Sequence, residues 1–172
     1  MEQYTRYSDR LIYKVLSEKD LEEFYEVLKL DEVGKWLLTG RGKTKEEVLA
    51  KIHLYIKQFT ELGYGTWGVF EKTTNKLIGQ AGLMPTPEKY IGLIYSFHPE
   101  AWGKGYGTES CMLALSYGFN ELKTNKITAF IKPENDKSSH VLEKCGLTKG
   151  GIEDYEGILM RRFEIDIKDW FK

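Results

Sequence analysis

The spacing of apolar residues changes along this chain, and each change marks an element. Leu11 to Leu16 is an apolar run that predicts a first strand. Ser17-Glu18-Lys19-Asp20 then resembles a capping box with Asp in place of Glu, ahead of Leu21, Phe24, Tyr25 and Leu28 at i, i+3, i+4, i+7. Thr44-Lys45-Glu46-Glu47 is a cleaner capping box. It opens a second helix with Val48, Ile52, Tyr55, Ile56 and Phe59 on one face and Gly63 as its stop. Between the helices, Gly34-Lys35-Trp36-Leu37-Leu38 is apolar without a period, so a floppy loop and a substrate-facing loop both stand as readings.

Thr66 to Glu71 and Leu77 to Leu83 are predicted strands joined by Lys72-Thr73-Thr74-Asn75-Lys76, with Pro85 and Pro87 ending the second. Ile91 to Phe97 predicts another strand, followed by a glycine-rich turn and a helix over Ser110 to Leu122. Lys126 to Ile131 reads as a strand, about Asp136 to Lys144 as a short helix with Gly146 behind it, and Gly157 to Trp170 as a final strand. An extra strand near Gly151 to Tyr155 is open. The order β-α-α-β-β-β-α-β-α-β places consecutive strands in the middle and alternation at the ends, which is an α+β class.

At 172 residues the chain is read as one domain, residues 1–172. A net charge of −1 without a basic run argues against nucleic acid as a partner. No apolar stretch approaches the roughly 18 residues of a membrane span, and Met1-Glu2-Gln3-Tyr4 carries no signal pattern, so a cytoplasmic location is expected. Cys111 and Cys145 form no CxxC pair and fall at apolar-periodic positions, which predicts buried reduced thiols rather than nucleophiles. With His53, His98 and His140 they make no ligand spacing, so no metal is expected.

Trp102-Gly103-Lys104-Gly105-Tyr106-Gly107-Thr108-Glu109 is the stretch richest in chemistry. A strand, a glycine turn and a helix start make an anion site, because first-turn N–H groups lack partners and the helix dipole favours negative charge. A phosphate or pyrophosphate suits such a cradle. A Walker loop fails here, since Gly103-Lys104 is followed by Gly105 and the earlier glycine position is His98. A dinucleotide fingerprint also fails, because the spacing is G-x-G-x-G with Thr108 at the third glycine's place.

Asn135-Asp136-Lys137-Ser138-Ser139-His140-Val141-Leu142-Glu143-Lys144-Cys145-Gly146-Leu147 follows one strand later. Together the two stretches resemble the GNAT acetyltransferase superfamily, and within it the ribosomal-protein alanine N-acetyltransferases of the Rim type. Gly105 and Gly107 match the Q/R-x-x-G-x-G/A acyl-CoA loop, with Trp102 at its first position as in the W-G-K-G-Y of the Rim branch. Asn135, Ser138, Val141-Leu142, Glu143-Lys144 and Gly146 match the branch's second signature, with Leu147 in place of an aromatic residue. Leu16 to Leu21 and Lys76-Leu77-Ile78-Gly79 extend the likeness over nearly the whole chain. It implies a GNAT-like fold: a mixed, mostly antiparallel sheet of about six to seven strands with about four helices, two strands splaying to form the CoA cleft.

The resemblance implies direct acetyl transfer from acetyl-CoA to a primary amine. Backbone N–H groups of residues 103 to 108 would hold the pyrophosphate. Trp102 and Thr108 belong to this cofactor loop. Lys104 has two readings, a phosphate contact or a solvated lysine, and Tyr106 is expected to pack the helix start. The pantetheine arm would run beside Tyr95 to Phe97, with His98 at the end of that strand. A backbone N–H near Phe97 would polarise the thioester carbonyl, provided that a bulge frees it from the ladder. Asn135 and Ser138 either cap their helix or contact the cofactor, with Ser138 hydrogen-bonding the leaving thiolate. Leu142 stands where many GNAT enzymes place a tyrosine acid.

The general base is not carried over, since the branch's glutamate aligns with Gly92; His98, Glu100, Glu109 and Tyr95 are the neighbouring alternatives. A peptide α-amine is about one-seventh neutral at pH 7, against roughly one in 2500 for a lysine amine, so a site without a strong base favours an N-terminus. Trp36 and Tyr95 are candidate acceptor contacts. Small-molecule amines, a non-catalytic acyl-CoA-binding module and an interaction domain are the rival readings, and both a monomer and a homodimer stand.

Overall fold

Residues 1–88 and 90–172 are described in a computed structural model of the chain. The strands are β1 (Arg6–Tyr7), β2 (Leu11–Lys14), β3 (Thr66–Glu71), β4 (Leu77–Pro85), β5 (Ile91–Phe97), β6 (Lys126–Ile131), β7 (Thr148–Tyr155) and β8 (Ile158–Asp166). The helices are α1 (Leu21–Leu28), α2 (Asp31–Gly34), α3 (Lys45–Leu62), α4 (Tyr106–Ser116), α5 (Asp136–Lys144) and α6 (Ile167–Trp170). Eight strands form one sheet in the order β1-β2-β3-β4-β5-β6-β8-β7. The α+β class and mixed sheet match the sequence reading, with one or two strands and two helices more than expected.

Every neighbouring pair is antiparallel except β5 and β6. Those two run parallel and pair only at Ile91↔Ile127 and Gly92↔Thr128. Beyond Gly92 they part, and Leu93 to Phe97 have no strand partner on that edge. This splay is the architectural feature that makes a cleft.

Two cores hold the sheet between helices. Leu16, Phe24, Leu28, Ile52, Phe70 and Leu77 form one, where α1 and α3 cover their face. Trp67, Leu83, Leu115, Phe119, Leu142 and Phe163 belong to the other, under α4 and α5. Trp67 has no exposed surface and donates its indole N–H to the Tyr4 carbonyl at 2.9 Å. The side-chain period of two sends alternate residues of each strand to opposite cores.

Local signals explain the helix starts. Ser17 and Asp20 make the reciprocal cap on a 3₁₀ turn that runs into α1. At α3, Thr44 Oγ1 accepts from the Glu47 N–H at 3.3 Å, while Glu47 accepts from the Thr44 N–H at 2.8 Å. Arg41 grips the same Glu47 carboxylate with both terminal nitrogens, and with the Thr44 N–H holds its pKa down at about 2. Removing the cap by Thr44→Ala is expected to cost about 1 kcal/mol, read as a lower urea midpoint at unchanged slope.

Element ends differ from the sequence reading for identifiable reasons. β2 stops at Lys14, because Leu16 turns into the α1–α3 core and Ser17 begins the cap. β1 was not foreseen; two residues are too short for a periodic signal. Helix α4 begins at Tyr106 rather than Ser110, and after Ser116 it widens into a π-helical turn over Tyr117–Glu121. β7 begins at Thr148 rather than near Gly151, with a register shift between Lys149 and Ile152. The final strand ends at Asp166, and α6 follows, its Trp170 ring 5.7 Å from Phe119. The 34–43 connection makes several hydrogen bonds to itself and to its neighbours. Gly42 N–H donates to Asp31 at 2.8 Å, Lys43 N–H to the Leu28 carbonyl at 2.8 Å, and Leu37 N–H to the Gly34 carbonyl at 3.0 Å.

Candidate active site

The turn between β5 and α4 is shaped by Gly103 at φ +74° and Gly105 at φ +81°, a region that residues with a Cβ enter only under strain. Glu109 N–H makes the first α4 bond, to the Gly105 carbonyl. Among the described residues, no backbone N–H from 103 to 108 has a protein acceptor. Six backbone donors at and before a helix N-terminus are thus left without a protein partner, an arrangement suited to a diphosphate.

A brace on the outer side fixes this turn. Arg10 donates to the Lys104 carbonyl at 2.7 Å and to Glu109 at 2.8 Å, and its guanidinium lies 4.6 Å over the Tyr106 ring. Tyr106 is buried and donates its hydroxyl to Glu71 at 2.6 Å. Ser8 also donates to Glu109, at 2.6 Å. Burial works against ionisation of Glu109, yet these hydrogen bonds outweigh it and hold the carboxyl below its ordinary pKa. Glu109 is thus committed to the brace.

Along β5, alternation sends Tyr95 and Phe97 toward α4 and α5, and Ser96 toward α3. Tyr95 OH lies 2.7 Å from Ser138 Oγ on the first turn of α5. Burial pushes the Tyr95 phenol well above its ordinary pKa, with the Ser138 hydrogen bond opposing that shift. The group stays protonated and is a donor at neutral pH, not a base. Asn135 accepts from the Ser138 N–H at 3.2 Å, so its carbonyl oxygen caps α5.

The β4–β5 register runs unbroken from Gly79↔Phe97 to Pro85↔Ile91, so there is no bulge at Phe97. None is needed. His98 N–H bonds the Ile78 carbonyl, and alternation turns the Phe97 N–H the other way, into the gap that β6 has left. The Phe97 carbonyl on that side accepts the Trp102 indole N–H at 2.8 Å, which ties the strand end to the glycine turn.

A hydrogen-bonded chain approaches from the opposite face. Lys51 Nζ donates to Tyr55 OH at 3.0 Å, and Tyr55 to Gln80 Oε1 at 2.7 Å. Gln80 Nε2 then donates to Ser96 Oγ at 2.9 Å. Sequence reading missed this chain, although Gln80 gave a signal: a polar residue inside the apolar run of β4, with no exposed surface. A continuous cavity of about 1130 Å³ joins the two faces, from Trp36 and Lys43 through Tyr95, Ser96 and Phe97 to Gly105, Asn135 and Ser138. That is large against the roughly 300–1,000 Å³ of pockets for one small ligand.

An acetyltransferase (GNAT) domain model matches residues 10–148. The chain belongs to the GNAT acetyltransferase family. It is 28% identical over 149 residues to an uncharacterized N-acetyltransferase of Bacillus subtilis (strain 168), YoaA, covering 84% of this chain and 83% of that protein. The fold is shared with a spermidine N-acetyltransferase from Vibrio cholerae solved with CoA and spermine, at TM-score 0.78 and 20% identity over 96% of this chain and all, 100%, of that one. It is shared equally with a ribosomal-protein-S5-alanine acetyltransferase from Vibrio fischeri, at TM-score 0.77 and 16% identity over 96% and 98% of the two chains. The protein is an N-acetyltransferase, and acetyl-CoA is the donor its family uses.

The family's sequence landmarks fall as follows. Trp102, Gly103, Gly105, Tyr106, Gly107 and Thr108 line the cavity, as do Phe97, Asn135, Ser138, Trp36 and Tyr95. His98 and Lys104 are not among its lining residues. His98 Nδ1 caps the Glu100 N–H at 3.3 Å, and Glu100 is exposed beside Lys76 at 3.3 Å. Neither reaches the cleft as a base. Gly92 marks the point where β5 and β6 part, and a Cβ there would meet Thr86 Cγ2 at 2.8 Å. A side chain at that position would require Thr86 to shift. Leu142 has no exposed surface, and Cys111 and Cys145 are buried free thiols. The hydrogen bond with neighbouring Cys145, and then burial, push the Cys111 thiol up, away from the reactive thiolate. Among the described residues no group of His, Cys, Asp and Glu is arranged to hold a metal, and no helix is long and apolar enough to cross a membrane.

Proposed function

We propose that this enzyme acetylates the α-amine of a peptide or protein N-terminus, in the manner of the Rim-type branch, through one domain spanning residues 1–172. Bound acetyl-CoA supplies an activated acetyl thioester. The N–H groups of residues 103 to 108 hold its diphosphate, and the unpaired edge of β5 from Leu93 to Phe97 accepts its pantetheine amides as an added strand. Gly107 lines this passage, where a Cβ would sit in ordinary contact with Val141 and Tyr95 and a longer side chain would reach into the cavity. The Phe97 N–H faces the place where carbonyl charge develops. Tyr95, hydrogen-bonded to Ser138, donates to the departing sulfur in place of the tyrosine that Leu142 replaces.

The observation that carries the acceptor reading is the chemistry of the α3 side of the cavity. Among the described residues its charged lining side chains are Lys35, Lys43 and Lys51, with no carboxylate or imidazole to strip a proton from a strongly basic amine. A weakly basic α-amine needs that help least. The test is thiol release from acetyl-CoA against free N-terminal peptides, the same peptides N-formylated, a lysine-containing N-blocked peptide, and spermidine. Turnover is expected with free α-amines and lost on N-formylation. Turnover confined to spermidine or to the lysine side chain overturns the reading.

A further inference from the structure

Lys43, just ahead of the Thr44 cap, and Lys51, on the second turn of α3, line the cavity, and both are partly buried. Among the described residues neither forms an ion pair with a carboxylate. The acids that line the cavity, Glu134 and Asp136, sit at the turn that opens α5. Lys51 spends one donor on Tyr55 OH, and its ammonium lies 5.2 Å from the Tyr55 ring centroid. Two partly desolvated ammonium groups that repel each other are unfavourable, and the Glu47 carboxylate, already held by Arg41, offsets the charge on Lys43 only in part. Burial, and then the charge of Lys51, lower the Lys43 pKa from its ordinary value. An anionic ligand relieves both terms at once, whereas a polycationic one makes them worse. Around the lysines the wall is apolar, with Trp36, Leu37, Leu38 and Met84, which strengthens an ion pair formed there.

We infer that Lys43 and Lys51 form a carboxylate-recognising subsite, so that the preferred acceptor is an acidic N-terminal segment whose carboxylate lies within a few residues of its α-amine. This deepens the N-terminal reading and rests on it for the identity of the amine. The chain Lys51–Tyr55–Gln80–Ser96 ties the subsite to β5, where Tyr95 and Phe97 flank the reacting end. Charge selection and amine positioning are thereby coupled through one rigid strand.

Three C-terminally amidated tetrapeptides test this: each starts with alanine and carries aspartates, asparagines or lysines at its second and third positions. Binding to the CoA-loaded protein is measured by calorimetry, and acetyl transfer by thiol release. The aspartate peptide is expected to bind roughly tenfold or more tightly than the asparagine peptide, and the lysine peptide least, as a charge-assisted contact implies. Lys43→Gln and Lys51→Gln should each remove most of that ratio while leaving CoA affinity in place, and Lys43→Arg should keep it. Equal binding of the aspartate and asparagine peptides, or a ratio that survives both glutamine variants, overturns the subsite. Charge-selective binding without acetyl transfer instead overturns the proposed reaction and leaves the subsite standing.

Discussion

Gly107→Glu is expected to abolish CoA binding while leaving the fold as stable as before, or more so. Three glycines shape the cradle, but they are not equivalent. Gly103 and Gly105 sit at positive φ, where any side chain strains the turn and confounds a binding defect with a folding one. Gly107 lies inside the first turn of α4 at an ordinary helical φ, and its added Cβ would meet Val141 and Tyr95 at 3.6 and 3.7 Å, which is normal packing. Replacing a helical glycine gains up to about 1 kcal/mol of propensity, and an acid near a helix N-terminus is favoured by the dipole. Against the ligand every sign reverses. A carboxylate about 4 Å from a phosphate costs on the order of 4 kcal/mol at an effective dielectric near 20, so at least a hundredfold loss of affinity is expected after relaxation and screening. Calorimetric titration with CoA beside a thermal melt reads both halves. Unchanged affinity in a folded variant would mean that the six free N–H groups are not the phosphate site.

How far the sequence announced this site depends on the range of each signal. The glycine turn and the helix behind it are specified by adjacent residues, so Gly103 to Thr108 were legible as a tight turn running into a helix start. The capping boxes at Ser17 and Thr44 were legible for the same reason, and both caps form. Boundaries set by tertiary packing were not. Trp170 leaves the last strand to meet Phe119, and Leu16 leaves the first to fill the α1–α3 core. No local period encodes either departure.

The same division runs through the chemistry. Asn135 and Ser138 were visible as a motif, but the pairing of Ser138 with Tyr95 joins residues 43 positions apart on different elements. Phe97 was singled out for its backbone N–H on condition of a bulge, and the splay of β5 from β6 freed it instead. Lys43 and Lys51 were unremarkable as sequence, since a lysine just before a helix cap or on a capped helix reads as solvated surface. Only the approach of α3 to β4 and β5 turns them inward. Gln80 alone was a fair clue, because a buried amide in an apolar strand demands partners.

Tyr95→Phe should lower kcat by about a hundredfold, toward the lower end of what a positioned acid contributes, with little change in the KM for acetyl-CoA. The phenyl ring keeps its packing against Phe97, whose ring centroid is 6.5 Å away, so the loss is confined to the hydroxyl. Burial holds the Tyr95 pKa above its ordinary value, and the acid form therefore persists across the whole working range. The wild-type kcat is accordingly expected to show no descending limb between pH 7 and pH 10 that Tyr95→Phe removes. Ser138 supports the phenol at 2.7 Å and is expected to matter less alone. If the two act as one donor, Tyr95→Phe combined with Ser138→Ala is no slower than Tyr95→Phe by itself, because residues that work as a unit are not additive. Full additivity of the two losses, with each variant folded and binding CoA normally, would mean that the two hydroxyls act independently, and an unchanged kcat in Tyr95→Phe beside a large loss in Ser138→Ala would assign the sulfur contact to Ser138 and leave Tyr95 as a wall of the cleft.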